Sequence, residues 1–186
     1  NTTNETIYLL PGTYDESFTV NQEVTLVGIA GPEQTKVRGT STNVVTINNG
    51  ASLTLKGVTL DASRSGTERA IRVNGGALTL FNASFDPNRT SVGQIGAGIY
   101  ATNASTVIAE RVIFSGQEAD EAVGGAIAAY GGIVRVSNSA LDLSSATRGG
   151  AIYASGATVT VDGCGFFSND ALADDLGAWN PEGGSI

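Results

Sequence analysis

Histidine and methionine are absent from the 186 residues, cysteine and tryptophan occur once each, and lysine appears only at positions 36 and 56. Each scarcity excludes something. Without histidine the side chain most often used as a general base near neutral pH is missing, so acid–base chemistry would fall to Asp, Glu, Lys or Arg. The single thiol, Cys164, can form no internal disulfide. A net charge of −8 with two lysines argues against a nucleic-acid partner, because such binding rests on clustered Lys and Arg. No apolar run approaches the roughly 18 residues of a membrane-spanning helix. With no methionine, Asn1 does not read as a translation start. The chain reads as a segment of something longer, with no signal peptide visible.

What is abundant is glycine, 25 residues, set among short runs of Val, Ile, Leu and Thr. The stretch from Gly124 to Asn169 states one unit twice. The first copy runs Gly124-Gly125-Ala126-Ile127, a Gly131-Gly132 turn, Val134-Arg135-Val136 and Ser137-Asn138, then Ser139 to Leu141. The second runs Gly149-Gly150-Ala151-Ile152, a Ser155-Gly156 turn, Val159-Thr160-Val161 and Asp162-Gly163, then Cys164 to Phe166. Ile127 to Ile152 and Val134 to Val159 are both steps of 25 residues. A period in the twenties, built from alternating strands and glycine turns, marks a stacked solenoid.

The unit recurs through the chain as four files of apolar residues. One file is Val45, Ile71, Ile99, Ile127 and Ile152; a second is Val24, Leu53, Leu78, Val107, Val134 and Val159. A third lies two residues beyond the second, from Leu26 to Val161, and a fourth is Leu60, Phe85, Phe114, Leu141 and Phe166. Two-residue alternation turns these side chains to one face of a strand. Constant spacing stacks like on like at the strand separation of about 4.8 Å. The expected fold is all-β, a parallel β-helix of about six coils of 25–29 residues, forming one unit across residues 1–186. Six coils give a rod near 30 Å long.

Corner chemistry agrees. Between the third and fourth files sit Lys56-Gly57, Phe81-Asn82, Ser137-Asn138 and Asp162-Gly163. Gly and Asn enter the left-handed backbone region at least cost. One copy offers Glu110-Arg111, so Arg111 is expected either to carry strain or to sit on an altered corner. Cys164 shares a position with Ser139, Val112, Ala83 and Val58, which suits a small core filler. Segments 62–68, 86–96, 115–123, 142–148 and 168–183 read as loops on one side, the side expected to interact. The last carries Asp174, Asp175 and Trp179. Glu182 to Ile186 restates the Gly-Gly-Ala-Ile motif, so at least one further coil of the same chain is expected after Ile186.

At this point residues with a known look appear. Ile7 to Gly28, with Leu-Pro-Gly-Thr-Tyr-Asp-Glu at 10–16, resembles the opening coil of pectin-lyase-like right-handed β-helix proteins. The Gly-Gly-Ala-Ile pairs, with Phe-x-x-Asn at 85–88 and 166–169, are similar to repeats of polymorphic outer-membrane-protein families. The resemblance covers nearly the whole chain and implies the fold and its right hand. It does not imply one function, since this scaffold hosts lyases, hydrolases, adhesins and filament proteins. Gly12 to Glu16 is similar to the first signature of pectin methylesterases. No Gln-Asp-Thr-Leu signature of that family occurs, nor the Gly-His-Gly segment of polygalacturonases.

The remaining candidates are polar. Asp61, Asp86 and Asp142 each follow a fourth-file residue. Adjacent coils would bring Asp61 and Asp86 close enough to share a Ca²⁺. The competing reading has them in solvent, splayed apart and offset by Arg64 and Arg89. The acids Glu118, Asp120, Glu121 and Asp170 show no ligand spacing. An outward row of Thr25, Thr54, Thr79, Ile108, Arg135 and Thr160 is interrupted twice, too irregular for an ice-binding array. Glycosylation sequons stand at Asn1, Asn4, Asn82, Asn88 and Asn103, with Asn103 expected to be modified first and Asn88 expected to point inward.

These readings converge on a structural or adhesive extracellular protein, without catalytic residues or cofactor, holding loops toward a protein or glycan partner at a surface or in a filament. Two alternatives remain open. A polysaccharide-active enzyme would show convergent carboxylates with an Arg on one sheet face. A glycan-binding module would expose Trp179.

Overall fold

Alternation inside short Val-, Leu- and Thr-rich segments forces extended strands with one apolar face, and the repeat brings each strand beside its copy one coil on. The computed structural model describes residues 5–63, 69–90 and 93–172. Within them the chain contains no helix, and its strands stack parallel into a β-solenoid of about six turns. Accordingly, no helix among the described residues could cross a membrane.

Four faces enclose the core. The first comprises Glu5–Leu9, Glu23–Gly28 and Ser52–Lys56, and continues through the first parts of Ala77–Phe85 and Thr106–Ser115. It ends with the last parts of Ile127–Ser137 and Ile152–Asp162. The second face comprises Gly12–Asp15, Thr35–Arg38 and Thr59–Asp61, the last parts of Ala77–Phe85 and Thr106–Ser115, then Ala140–Asp142 and Gly165–Phe167. A third comprises Asn88–Arg89, Gln117–Val123, Ser145–Arg148 and Asp170–Ala171. The fourth comprises Phe18–Val20, Asn43–Ile47, Arg69–Asn74 and Ile99–Thr102, with the opening residues of Ile127–Ser137 and Ile152–Asp162.

The files are vertical. Val45 pairs Ile71, Ile71 pairs Ile99, Ile99 pairs Ile127 and Ile127 pairs Ile152, and none of the five is measurably exposed. Phe18 extends this file downward by one coil. The fourth file likewise begins at Tyr14 and Val37 before Leu60. Phe85 and Phe114 stack with ring centroids 4.5 Å apart. Leu141 is buried above them, and Phe166 and Cys164 pack against the core from the last described coil.

Corners follow from backbone conformation. Gly57, Asn82, Arg111, Asn138 and Gly163 all adopt positive φ, between 48° and 63°. Arg111, at 53°, therefore takes the same corner as its glycine and asparagine counterparts and carries the strain. Its guanidinium sits 4.7 Å from the Phe81 ring centroid, and Nη2 lies 3.4 Å from Glu110. The Gly-Gly-Ala-Ile motif has two separate reasons. Gly124 and Gly149 have φ of 68° and 59°. Gly125 faces the next coil so closely that a Cβ there would lie 2.2 Å from the Gly150 carbonyl oxygen.

One expectation is corrected. Within the described residues, which leave out residues 64–68, 91–92 and 173–186, segments 86–96, 115–123, 142–148 and 168–172 are not simply loops, because the third face runs through them as parallel strands. One of their inward files is polar: Asn88 pairs with Gln117, and Ser144 and Asn169 occupy the equivalent places above, while two residues on Ala119 and Ala146 are buried apolar members. Backbone carbonyls accept from these side chains. Asn88 donates to Ala97 (3.0 Å), Gln117 to Asp86 (2.7 Å) and Ser115 (2.8 Å), and Asn169 to Leu141 (2.9 Å). A polar residue whose donors are taken by backbone carbonyls can be buried, even though Gln117 Oε1 finds no donor among the described residues, so a strand need not alternate apolar residues to face inward.

Candidate functional surfaces

Two outer surfaces gather chemistry. The first lies on the second face, where Asp15, Arg38, Asp61 and Asp86 follow one another in adjacent coils. Arg38 Nε donates to Asp61 Oδ2 at 2.9 Å, and its Nη1 lies 3.6 Å from Asp15. Lys36 Nζ stands 2.5 Å from Asp86 Oδ2 and 4.0 Å from Asp61 Oδ2. The Ser63 hydroxyl and amide both donate to Asp61 Oδ1, at 2.6 and 3.0 Å. Asp61 is only 4% exposed.

Register thus brings Asp61 and Asp86 together as the repeat requires, but the cation beside both is the chain's own ammonium group. The solvated reading of Asp61 does not describe it either. The offsetting charges are Lys36 and Arg38 from the preceding coil. Arg89 instead pairs with Asp120 (2.9 Å) and Glu118 (3.6 Å), and Arg64 lies outside the described residues. Burial pushes the Asp61 carboxyl up, yet the bonds from Ser63 and Arg38 and the charge of Lys36 outweigh it, holding the group below the ordinary aspartate range. It is a fixed anion near neutral pH.

The second surface, on the fourth face, was not singled out from the sequence. Its outward positions form a file Thr46, Arg72, Tyr100, Ala128 and Tyr153. Tyr130 stands two residues further along its strand than Ala128 and fills the space between the other two rings. Its centroid is 6.0 Å from Tyr100, edge to face, and 5.7 Å from Tyr153. Beneath them Ala128 points outward yet has no exposed surface. Arginines flank the cluster: Arg69 Cζ is 5.2 Å from the Tyr100 centroid and Arg148 Cζ 5.5 Å from that of Tyr153. Arg69 is buried and fixed by Asn43, Gln94 and the Ile95 carbonyl.

Arg72 and Arg148 are exposed, and neither forms an ion pair among the described residues. Burial, then the neighbouring Tyr153 and Tyr100, push the Tyr130 phenol up. It therefore keeps its proton near neutral pH. One signal was present in the sequence, the repeated Ile-Tyr at 99–100 and 152–153. Tyr130 breaks that repeat, being three residues past its file member rather than one.

The other candidates fall as follows. Asn82 and Asn103 are exposed at left-handed corners, with φ of 48° and 56°. Asn103 Nδ2 donates to Asn74 Oδ1 at 2.5 Å. Asn88 is 4% exposed, its amide nitrogen engaged by Ala97. The threonine row stands in register, with Thr25, Thr54 and Thr79 half-buried and Ile108 and Arg135 interrupting it. Asn1, Asn4, Asp174, Asp175 and Trp179 lie outside the described residues. Among the described residues no three His, Cys, Asp or Glu side chains converge as a metal site would need.

No protein-family model, curated protein or solved structure gives a significant match to this chain. The architecture and the two surfaces are therefore the ground for its function.

Proposed function

We propose that this chain is a non-catalytic structural and adhesive segment of an extracellular, right-handed, pectin-lyase-like β-helix with repeats of the polymorphic outer-membrane-protein type. It holds its outer faces at fixed spacing toward a protein or glycan at a cell surface or in a filament. The observation that carries this reading is the fate of the carboxylates on the second face. Asp61 is buried and bonded to Arg38 and Ser63, and Lys36 lies against Asp86. A carboxylate so engaged ties coils together, whereas a general acid or base must be free to exchange a proton with substrate.

The enzyme reading keeps one observation in its favour: Asp15, Asp61 and Asp86 stand in one file with Arg38 on a single sheet face. A direct comparison decides between them. The purified chain is assayed for retention on intact cells or isolated wall material, and for cleavage or de-esterification of pectin, polygalacturonate and neutral glucans. The expected result is retention without turnover, and Asp86→Asn leaves retention unchanged. Polysaccharide turnover abolished by Asp86→Asn would establish the enzyme and end the structural reading.

A further inference from the structure

The fourth face departs from the charge of the molecule that bears it. The chain carries −8, yet its outward files on this face read Thr19, Thr46, Arg72, Tyr100, Ala128, Tyr153 and Asn48, Asn74, Thr102, Tyr130, Ser155. No carboxylate stands in either file. Exposed Arg72 and Arg148 and the half-buried phenols of Tyr100, Tyr130 and Tyr153 lie across four successive coils. Guanidinium groups engage carboxylates and sulfates by paired, charge-assisted bonds. Phenol rings offer an apolar wall with a hydroxyl at the rim, suited to a ligand that is both ring-shaped and polar.

The geometry points to the Tyr100–Tyr130–Tyr153 surface as a binding site for a linear polysaccharide bearing carboxylate or sulfate groups. The chain of sugars runs along the solenoid axis. Rings and hydroxyls of the tyrosines contact the sugar faces, while Arg72 at one end and Arg148 toward the other bind the acidic substituents. Arg69 is a positioning residue, holding the Tyr100 ring from below through its bonds to Asn43, Gln94 and Ile95. Charge complementarity selects the class of ligand: an acidic polymer is repelled by the molecule as a whole and can approach closely only where carboxylates are missing. The inference rests on the display reading above for its biological setting, but binding itself is measurable in solution.

The test titrates the full chain by calorimetry with three defined oligomers: alginate for carboxylate, dextran sulfate for sulfate, and plain dextran as the neutral match. At least one acidic oligomer should bind and plain dextran should not. The affinity should fall by about tenfold or more in the Arg72→Gln/Arg148→Gln double variant, and binding should weaken as salt is raised. Tyr130→Ala should weaken binding as well. Both arginines are exposed, so the double variant should keep the wild-type circular dichroism and melting curve. If Tyr130→Ala unfolds, Tyr153→Phe, which removes only a hydroxyl, replaces it. Failure of the folded wild-type chain to bind either acidic oligomer, equal binding of plain dextran, or an undiminished affinity in the double variant would overturn the proposal. So would tighter binding of a single-stranded oligonucleotide. Retention on cells without oligomer binding would sink this site and leave the display reading standing; oligomer binding without retention would do the reverse.

Discussion

Arg111 shows how a repeat tolerates a residue that its position disfavours. Four of the five corners compared above use Gly or Asn, for which positive φ is inexpensive. An ordinary L-residue there loses about 1–2 kcal/mol. Arg111 recovers part of this by laying its guanidinium on Phe81, a contact worth about 0.5–1 kcal/mol at an exposed site. Asparagine would adopt the same φ at lower strain, as Asn82 and Asn138 do one coil to either side. Arg111→Asn should therefore raise stability by roughly 0.5 kcal/mol, seen as a higher urea midpoint at unchanged slope. A lower midpoint would mean that the Phe81 contact outweighs the backbone term. The sequence alone posed this choice between strain and an altered corner; the φ of 53° answers it.

At the scale of a single sheet, the second face is tied on the outside by charges and on the inside by stacked rings. Asp61 is the centre of the outer set, serving Arg38, Lys36 and Ser63 at once. Its folded-state acidity is stronger than that of an unfolded aspartate. The sign follows directly: its contribution is complete above the unfolded value near 4 and is lost as pH falls toward the lower folded value. The wild-type midpoint in urea should thus hold steady, as far as Asp61 governs it, down to about pH 4 and decline below. Asp61→Asn should begin about 2 kcal/mol lower at pH 7, and the gap should close in acid. A gap that stays constant with pH would show that the carboxylate's charge contributes nothing.

The third face marks where sequence reading runs short. Val, Ile, Leu and Phe files announce themselves through alternation, and their fixed steps expose the stacking. Asn88, Gln117, Ser144 and Asn169 alternate too, but with polar side chains whose partners are backbone carbonyls. The Phe-x-x-Asn repeat gave a signal for Asn88 and Asn169, but hydropathy assigns Gln117 and Ser144 to loops, because nothing in the local sequence says where the carbonyls will be. For the same reason Asp61 read as solvated. Its partners Lys36 and Arg38 lie 25 and 23 residues earlier and become neighbours only through register.

The molecule as a whole is a stack in which each coil pairs its backbone with the coils directly above and below, and Lys36, which reaches Asp86 two coils on, crosses further. The core, the corners and the order of the files were legible because they repeat. The tyrosine surface was hardly so, because only Ile99-Tyr100 and Ile152-Tyr153 repeat and the ring between them, Tyr130, stands off that repeat. Ile127–Ser137 and Ile152–Asp162 pair at ten positions, from Ile127 with Ile152 to Ser137 with Asp162, every one at the same offset of 25 residues. Length in this protein is thereby a modular quantity, separable from shape. A chain in which residues 127–151 occur twice in tandem should accept the extra turn and grow by about 4.8 Å along its axis, measurable by small-angle scattering with a larger radius of gyration at unchanged cross-section. An expanded or aggregated product would show that neighbouring turns are less interchangeable than their register implies. If the insertion is accepted, the reach of whatever the protein holds at its far end can be set by copying a paragraph of sequence, with no need to redesign a single contact.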